Sequence, residues 1–160
     1  MKYNRDQTIL IRPGKIGFTT STSLKYNIGT YGLTTCVGLA IYDPILKVGG
    51  VAHVQFNVSA RYLEKLLLGN YTNHEDLFSF DYSQFMDDAF ALFNLVNLVG
   101  GKRYQVYTFN VDDRDTPDSK DIKKVIDRTF SMLESQILSH QSRNETDFKL
   151  DIRNGVIEKI

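Results

Sequence analysis

The most informative stretch of this chain for its fold is TYGLTTCVGLAIYDPILKVGGVAHV, which runs from Thr30 to Val54. Its first half, Thr35 to Tyr42, is small and apolar at successive positions, which is typical of a β-strand covered on both faces. The pair Asp43-Pro44 then predicts a reverse turn, because proline fixes φ near about −65° and aspartate accepts a backbone hydrogen bond. Val48 to Val54 returns as a second apolar strand. The stretch therefore predicts a buried β-hairpin.

The single cysteine of the chain and one of its three histidines lie on opposite arms of this hairpin. A four-residue loop, Asp43 to Leu46, predicts that Cys36 lies directly opposite His53. Facing residues of an antiparallel pair have Cβ atoms about 4.5–5.5 Å apart, which brings sulfur and imidazole within hydrogen-bonding reach. A five-residue loop would shift the pairing by one residue, so that His53 faces Val37 and lies on the other side of the sheet from Cys36. The sequence leaves both registers open.

A cysteine beside a histidine can act as a nucleophile and its base. An imidazole can take the thiol proton and later protonate a departing amine, which makes an amide the natural target. Such a site also needs a group that orients the ring, and Gly29 to Gly32 predicts a flexible turn that can bring a hydroxyl or a carbonyl to it. The alternative is structural, because cysteine is often buried and a lone histidine in a strand is usually a satisfied core group.

The rest of the chain predicts more strands and two long helices. Apolar residues recur at three and four positions from Asp81 to Val99 and from Pro117 to His140, as on the buried face of a helix, and Thr116 can cap the second helix. The other predicted elements are strands at Ile9–Arg12, Lys15–Thr19 and Tyr104–Val111, a short helix at Ala60–Leu68, and a terminal hairpin of Phe148–Ile152 with Val156–Ile160 around Asn154-Gly155. We therefore expect one α+β domain, residues 1–160.

The composition of the chain indicates which partners and which cellular compartment to expect. Nineteen basic residues balance nineteen acidic ones, so no overall charge attracts the chain to nucleic acid. One cysteine cannot form an internal disulfide, and the first residues lack the apolar core of a signal peptide, so we expect a cytoplasmic protein. The most apolar helical segment, Ala89 to Val99, is far shorter than the roughly 20 residues that span a bilayer, so we expect no membrane insertion.

The sequence predicts neither a metal nor a cofactor. His74-Glu75-Asp76 and Asp112-Asp113-Arg114-Asp115 contain metal-ligating residue types, but the histidines do not recur at ligand spacing and such clusters are mostly solvated loops. A phosphate-cradling glycine loop is absent from the sequence, which argues against a nucleotide enzyme.

Three segments of the hairpin stretch carry a signature: TYGLTTCV at 30–37, YDP at 42–44 and GGVAHV at 49–54. They resemble the CheD family of chemoreceptor glutamine deamidases, which has a threonine six residues before the cysteine and a histidine seventeen residues after it. The order of the remaining predicted elements is similar to that of the family as well. The resemblance implies a layered α/β/β/α sandwich with mixed β-sheets and two long helices, shared with the catalytic domain of cytotoxic necrotizing factor toxins.

The resemblance also implies a reaction and a set of site residues. Cys36 is then the nucleophile, His53 the general base and acid, and Thr30 the residue that orients the imidazole through either its hydroxyl or its backbone carbonyl. The thiolate attacks the side-chain amide of a glutamine in a methyl-accepting chemotaxis receptor, ammonia leaves, and hydrolysis of the thioester leaves glutamate. Some members of the family bind a CheC-type phosphatase, which is the other implied partner.

Several segments depart from the pattern of the family. Thr34-Thr35 stand where the family usually has Gly-Ser before the cysteine. The strand segment Tyr107–Asn110 lacks the glycine pair with which the corresponding strand of the family commonly ends. Asp112–Asp115 does not match the Ile-Gly-x-Arg-Asn segment that the family often has before its second helix, and Arg143–Thr146 does not match the Gly-Gly stretch before its last hairpin. These segments, and the excursion Gln55–Phe80, border the expected substrate surface. Two alternatives follow: a CheD-like binding module for a CheC-type phosphatase or a receptor with little or no catalysis, and a deamidase of a protein outside chemotaxis.

Overall fold

The computed structural model describes residues 8–57, 64, 67–69, 80–112 and 119–160 of the chain. The predicted cap at Thr116, the cluster His74-Glu75-Asp76 and most of the predicted helix Ala60–Leu68 lie outside the described residues. The described elements are β1 (Thr8–Leu10), β2 (Ile16–Thr20), β3 (Asn27–Thr30), β4 (Val37–Asp43), β5 (Val48–Val54), α1 (Ser83–Leu98), β6 (Tyr104–Phe109), α2 (Ser119–Met132), a 3₁₀ turn (Glu134–Gln136), β7 (Ile137–Arg143), β8 (Phe148–Asp151) and β9 (Val156–Lys159).

The hairpin β4–β5 forms the centre of a five-stranded sheet with the strand order β2-β5-β4-β6-β7. Every residue of both hairpin strands is buried, which confirms the prediction of strands covered on both faces. Both predicted registers are wrong, because His53 pairs with Gly38 and not with Cys36 or Val37. The four-residue loop begins after Asp43 and includes Lys47, which takes a left-handed φ of 52° and closes the turn through a 2.9 Å bond from its N–H to the Asp43 carbonyl. A shift of two positions leaves every side chain on its predicted face.

The carboxylate of Asp43 fixes this turn from the inside. Its Oδ1 accepts the backbone N–H groups of Ile45 and Leu46 at 3.0 and 2.9 Å, as the sequence predicts. Its Oδ2 accepts the N–H groups of Lys102 and Arg103 at 2.9 and 3.4 Å, which follow α1. Burial by itself raises the pKa of Asp43, but these four donors outweigh burial and lower the pKa below its ordinary value. One side chain thus ties the hairpin loop to the chain that enters β6.

A second sheet of four strands, in the order β1-β3-β8-β9, packs against the first. Both sheets are mixed, since β1 pairs with β3 and β6 pairs with β7 in parallel, whereas the other pairs are antiparallel. Side chains from the two facing surfaces form an inter-sheet core layer. Its buried members are Ile11, Ile28, Leu33, Cys36, Ala40, Tyr42, Val51, Phe109, Phe148, Leu150 and Ile152.

Strand β3 contradicts the prediction of a flexible turn at Gly29 to Gly32. Gly29 and Thr30 are the last two residues of β3 and pair with Lys149 and Phe148 of β8. A Cβ on Gly29 would lie 2.1 Å from the carbonyl oxygen of Phe148, so this glycine permits two backbones to approach closely. Gly32, with a φ of 72°, follows the strand and has the conformation that favours glycine.

The two helices cover the outer face of the five-stranded sheet. The predicted apolar stripe of α1 is buried there through Phe85, Ala89, Leu92, Phe93 and Val96, and α2 adds Ile122 and Ile126 to the same core. The predicted α+β class with two long helices and two mixed sheets is confirmed. The layers of the described part run four-stranded sheet, five-stranded sheet, helices. In that part of the chain, no helix has both the length and the apolar character needed to cross a membrane.

Helix α2 ends at Met132 and not, as predicted, at His140. After the 3₁₀ turn the chain forms β7, which pairs in parallel with β6. Leu133 and Ile137 both pack into the core beside the helices, although one follows a helix and the other begins a strand. Their spacing of four residues imitates a continuing helix, and the partner strand β6 overrides that pattern.

The predicted terminal hairpin is confirmed with a longer turn. Asp151 pairs with Val156, so the loop contains four residues, Ile152 to Gly155, instead of two. Gly155 takes a φ of 75°, which explains why glycine occupies the end of this turn.

Candidate active site

Thr30 and His53 connect the two sheets within the inter-sheet core layer. Thr30 ends β3 of one sheet, His53 lies in β5 of the other, and both residues are fully buried. The Thr30 Oγ1 lies 2.7 Å from His53 Nδ1 and 2.6 Å from the carbonyl oxygen of Ile11. A carbonyl can only accept a hydrogen bond, so the hydroxyl donates to Ile11 and accepts from the Nδ1–H of His53. The contact therefore runs through the hydroxyl of Thr30, and His53 presents Nε2 without a proton.

The Nε2 atom of His53 is buried and makes no hydrogen bond to any residue that the structure describes. Burial lowers the pKa of His53 below its ordinary value of 6.5, and the opposing effect of the Ile11 backbone does not offset it. The ring is thus a neutral base at neutral pH. A buried nitrogen without a hydrogen-bond partner is unusual, because nearly all buried polar atoms in folded proteins have one.

Cys36 lies directly before β4 and belongs to the same inter-sheet layer as Ala40 and Tyr42. Because Gly38 faces His53, Cys36 lies one diagonal step along the sheet instead of directly opposite the histidine. The predicted direct hydrogen bond between sulfur and imidazole is absent, since Nε2 has no partner among the described residues. Cys36 and His53 therefore lie near the same inter-sheet layer without that contact.

The cysteine loop, residues 31–36, reaches the surface of the molecule. Cys36 itself is 8% exposed, whereas Tyr31, Thr34 and Thr35 are exposed. Thr34 and Thr35, which stand where the CheD family usually has Gly-Ser, are thus exposed directly before the buried Cys36.

Residues from distant parts of the chain anchor the cysteine loop. The Gly32 N–H donates to Asp147 Oδ1 at 2.7 Å, and the Leu33 N–H donates to the Thr146 carbonyl at 3.1 Å. The side-chain amide of Asn110 donates to three carbonyl oxygens of the loop. Sequence reasoning missed these anchors, because nothing in a single sequence pairs positions so far apart. The available signal was an asparagine, Asn110, directly after the alternating strand β6.

A groove of about 560 Å³ lies beside the connection from β7 to β8. It is lined by Gln141, Arg143, Asn144, Glu145, Thr146 and Lys159. Arg143 and Glu145 form a two-pronged ion pair at 2.6–3.2 Å, and the hydrogen bond from Arg143 lowers the pKa of Glu145. Since Thr146 also binds the cysteine loop, the groove adjoins that loop. It contains Arg143–Thr146, one of the segments that depart from the family pattern.

Within the described part of the chain, no group of three or more His, Cys, Asp or Glu side chains could hold a metal ion. The cluster at 74–76 lies outside that part. Of the second cluster only Asp112 is described, and it binds Lys123 at 2.8 Å and Ser142 at 2.5 Å.

No family model matches the chain, but curated proteins match over short segments. A probable chemoreceptor glutamine deamidase CheD from Pyrococcus horikoshii is 51% identical over 35 residues, which cover 22% of this chain and 22% of that protein. One from Archaeoglobus fulgidus is 46% identical over 46 residues, or 29% of this chain and 27% of that protein. A probable chemoreceptor glutamine deamidase CheD 2 from Geobacter metallireducens is 62% identical over 24 residues, 15% of each chain.

The matched segments span about a fifth of the length of the first of these relatives. They confirm the resemblance that the hairpin signature indicates, and the two mixed sheets with two long helices agree with the fold that it implies. Over these short segments the chain is thus similar to CheD proteins, as the signature indicates.

Proposed function

We propose that the protein is a protein-glutamine deamidase that acts through a cysteine thioester. One observation carries the proposal: the Thr30 hydroxyl fixes the tautomer of His53, so that an unprotonated Nε2, which has no hydrogen-bond partner among the described residues, lies in the layer that also holds Cys36. The curated relatives described as probable chemoreceptor glutamine deamidases support the same reaction class.

The proposed reaction begins with the neutral imidazole. Cys36 turns toward the ring when substrate binds, His53 Nε2 takes the thiol proton, and sulfur attacks the carbon of a glutamine side-chain amide. Catalytic hydrogen bonds are often unformed without substrate, so the missing contact between sulfur and Nε2 is compatible with this step. The lowered pKa of His53 keeps the ring ready to accept that proton at neutral pH.

The remaining steps reuse the same proton. The imidazolium protonates the amide nitrogen, the C–N bond breaks, and ammonia leaves with the acyl group held on sulfur. His53 then removes a proton from water, which attacks the thioester and releases the thiol and a glutamate side chain. The backbone N–H of Cys36 is the proposed donor to the oxyanion of both tetrahedral intermediates.

We propose a methyl-accepting chemotaxis receptor as the protein substrate and a CheC-type phosphatase as a second partner. The activity is placed in the cytoplasm, where thiol nucleophiles are kept reduced. The groove beside Thr146 supports a substrate surface next to the cysteine loop, because it adjoins that loop and opens to solvent. Its residues differ from the family pattern, so the choice of protein substrate is the part of the proposal that most depends on them.

The near-complete burial of Cys36, at 8% exposure, favours the non-catalytic binding module as the second candidate. The test is to incubate the protein with the cytoplasmic fragment of a chemotaxis receptor in water enriched in heavy oxygen, followed by peptide mass spectrometry. Deamidation at a glutamine with uptake of one oxygen label from water supports the enzyme. His140→Gln is the matched control, because it removes a histidine of β7 that lies outside the candidate site.

Wild type and His140→Gln should both produce the labelled glutamate, whereas Cys36→Ala and His53→Gln should not. A labelled product of equal yield from Cys36→Ala would refute the thioester route. Absence of product from wild type, together with capture of the receptor fragment, would establish the binding module instead.

A further inference from the structure

Asn110 follows β6 in a backbone conformation that few residues adopt. Its φ is 63°, in the left-handed region that glycine and asparagine tolerate best. The backbone is fixed there, because the Asn110 N–H donates to the Arg143 carbonyl at 3.1 Å and continues the pairing of β6 with β7. The residue is 9% exposed, so its side chain is aimed into the protein.

The side-chain amide of Asn110 gathers three carbonyl oxygens of the cysteine loop. Its Nδ2 donates to the carbonyl of Leu33, to that of Thr34 at 3.2 Å and to that of Cys36 at 3.1 Å. Three acceptors around one atom require that atom to be a donor, since an oxygen at the same place would face three partial negative charges. An NH₂ group has two protons, so one of them is shared between two carbonyls.

These bonds set the orientation of the peptide groups around the thiol. A peptide is planar, so a carbonyl that points toward Asn110 makes the N–H of the next residue point away from it. The peptide groups after Leu33, Thr34 and Cys36 are fixed in this way, whereas the group that ends in the Cys36 N–H makes no bond to Asn110. Asn110 therefore holds the carbonyl groups before and after the Cys36 N–H, which is the proposed oxyanion donor. The Asn110 side chain itself does not bond the peptide group that contains this N–H.

We propose that Asn110 is a positioning residue for the proposed deamidation, whose side-chain amide holds the carbonyl groups of the cysteine loop so that the Cys36 thiol and backbone N–H meet the substrate amide in the right geometry. The inference rests on the proposed function for its catalytic part. The part of the inference that concerns the conformation of the cysteine loop depends only on the three hydrogen bonds from Asn110. A glycine here would supply the left-handed backbone without the donor, so asparagine serves the turn and the loop together.

Two variants separate the backbone requirement from the amide. Asn110→Gly keeps the left-handed conformation and removes the three hydrogen bonds. Asn110→Asp keeps the size and replaces the donor with an oxygen that repels the same carbonyls. Asn154→Asp is the matched control, because it makes the same chemical change in the distant β8–β9 turn, where the Asn154 Oδ1 only accepts from Val156 N–H.

The experiment has three measurements on the full chain: hydrogen exchange of the loop amides, the rate at which iodoacetamide alkylates Cys36, and kcat and KM with a receptor cytoplasmic fragment. In Asn110→Gly we expect faster exchange in residues 33–37 with strand protection retained, and faster alkylation because the thiol is released from cover. We expect kcat to fall about 5–100-fold with KM nearly unchanged, which is the range for losing one to three neutral hydrogen bonds. Asn110→Asp should show a larger effect, and Asn154→Asp should match wild type.

General destabilisation would also expose the thiol and lower kcat, so the strand amides separate the two causes: the positioning role requires faster exchange in residues 33–37 while exchange in the strands stays as in wild type. Unchanged loop exchange in Asn110→Gly would overturn the anchoring, and faster exchange with an unchanged kcat would overturn the positioning role. If wild type itself shows no deamidation, the proposed function fails. Exchange and alkylation then still decide whether Asn110 holds the loop.

Discussion

Thr30→Val tests the hydroxyl that connects the two sheets. Valine has nearly the same shape as threonine, so the change creates almost no cavity and removes only the group that bonds Ile11 at 2.6 Å and His53 at 2.7 Å. Both partners are buried. Each buried group left without a partner costs about 1–3 kcal/mol, so the free energy of unfolding should fall by about 2–5 kcal/mol. At about 2–4 °C per kcal/mol for a chain of this size, the Tm should fall by about 4–20 °C.

The assay is urea unfolding followed by circular dichroism, since the chain has no tryptophan. Thr108→Val is the matched control: its hydroxyl lies 2.8 Å from the Nε2 of His140, and His140 is exposed to water, so the loss should be nearer about 1 kcal/mol. Thr30→Ser, which retains the hydroxyl, should recover most of the stability that Thr30→Val loses.

Nitrogen chemical shifts of the His53 ring provide the second reading of the same change. Wild type and Thr30→Ser should carry the proton on Nδ1, and Thr30→Val should show a mixture of tautomers. The reasoning is refuted if Thr30→Val loses no more stability than Thr108→Val and its ring still carries the proton on Nδ1 alone.

Three further predictions follow from the described contacts. Because burial lowers the pKa of His53, the unfolded chain binds more protons than the folded one below about pH 6.5. The contribution of His53 to the free energy of unfolding should therefore be fully present above that pH and decline as the pH falls toward the pKa of the folded state. In urea titrations, the free energy of unfolding of His53→Gln should decline less steeply with falling pH than that of wild type. An equally steep decline would show that another group causes it. Gly29→Ala places a Cβ against the Phe148 carbonyl and should cost about 3 kcal/mol or more in the same assay, so a loss below about 1 kcal/mol would contradict the close approach. Thr34→Gly with Thr35→Ser should speed the alkylation of Cys36 by iodoacetamide, whereas an unchanged rate would show that the threonines do not limit access to the thiol.

Local patterns account for the parts of the site that the sequence predicts correctly. The continuous apolar runs of β4 and β5 need no partner to be recognised, and Asp43 accepts the two backbone groups that follow its own turn. Both the predicted four-residue loop, Asp43 to Leu46, and the observed one, Pro44 to Lys47, place Cys36 and His53 on the same face of the sheet. The two loops differ by a register shift of two positions, and such a shift preserves the face. The resemblance adds Thr30, which spacing alone does not single out.

Other parts depend on contacts between distant segments. Whether Ile137 continues a helix or begins a strand depends on β6, and whether Gly29 turns or extends depends on the backbone of β8. The same limit applies to Asn110, whose backbone conformation and three loop contacts follow from β7 and from the hairpin packing around it. A periodic pattern records which side of an element is apolar, but it contains no information about the neighbour on that side.

Local patterns are enough to predict the buried hairpin and the α+β class, because strand alternation and turn chemistry act over a few residues, but they leave open whether Cys36 and His53 share a face. The direct partner of His53, the nitrogen that carries its proton and the bonds that hold the cysteine loop follow from the packing of the two sheets. Those features depend on distances between two stacked sheets. A hydrogen bond requires its atoms to meet within about 3 Å, and only the packing of the whole chain sets separations on that scale.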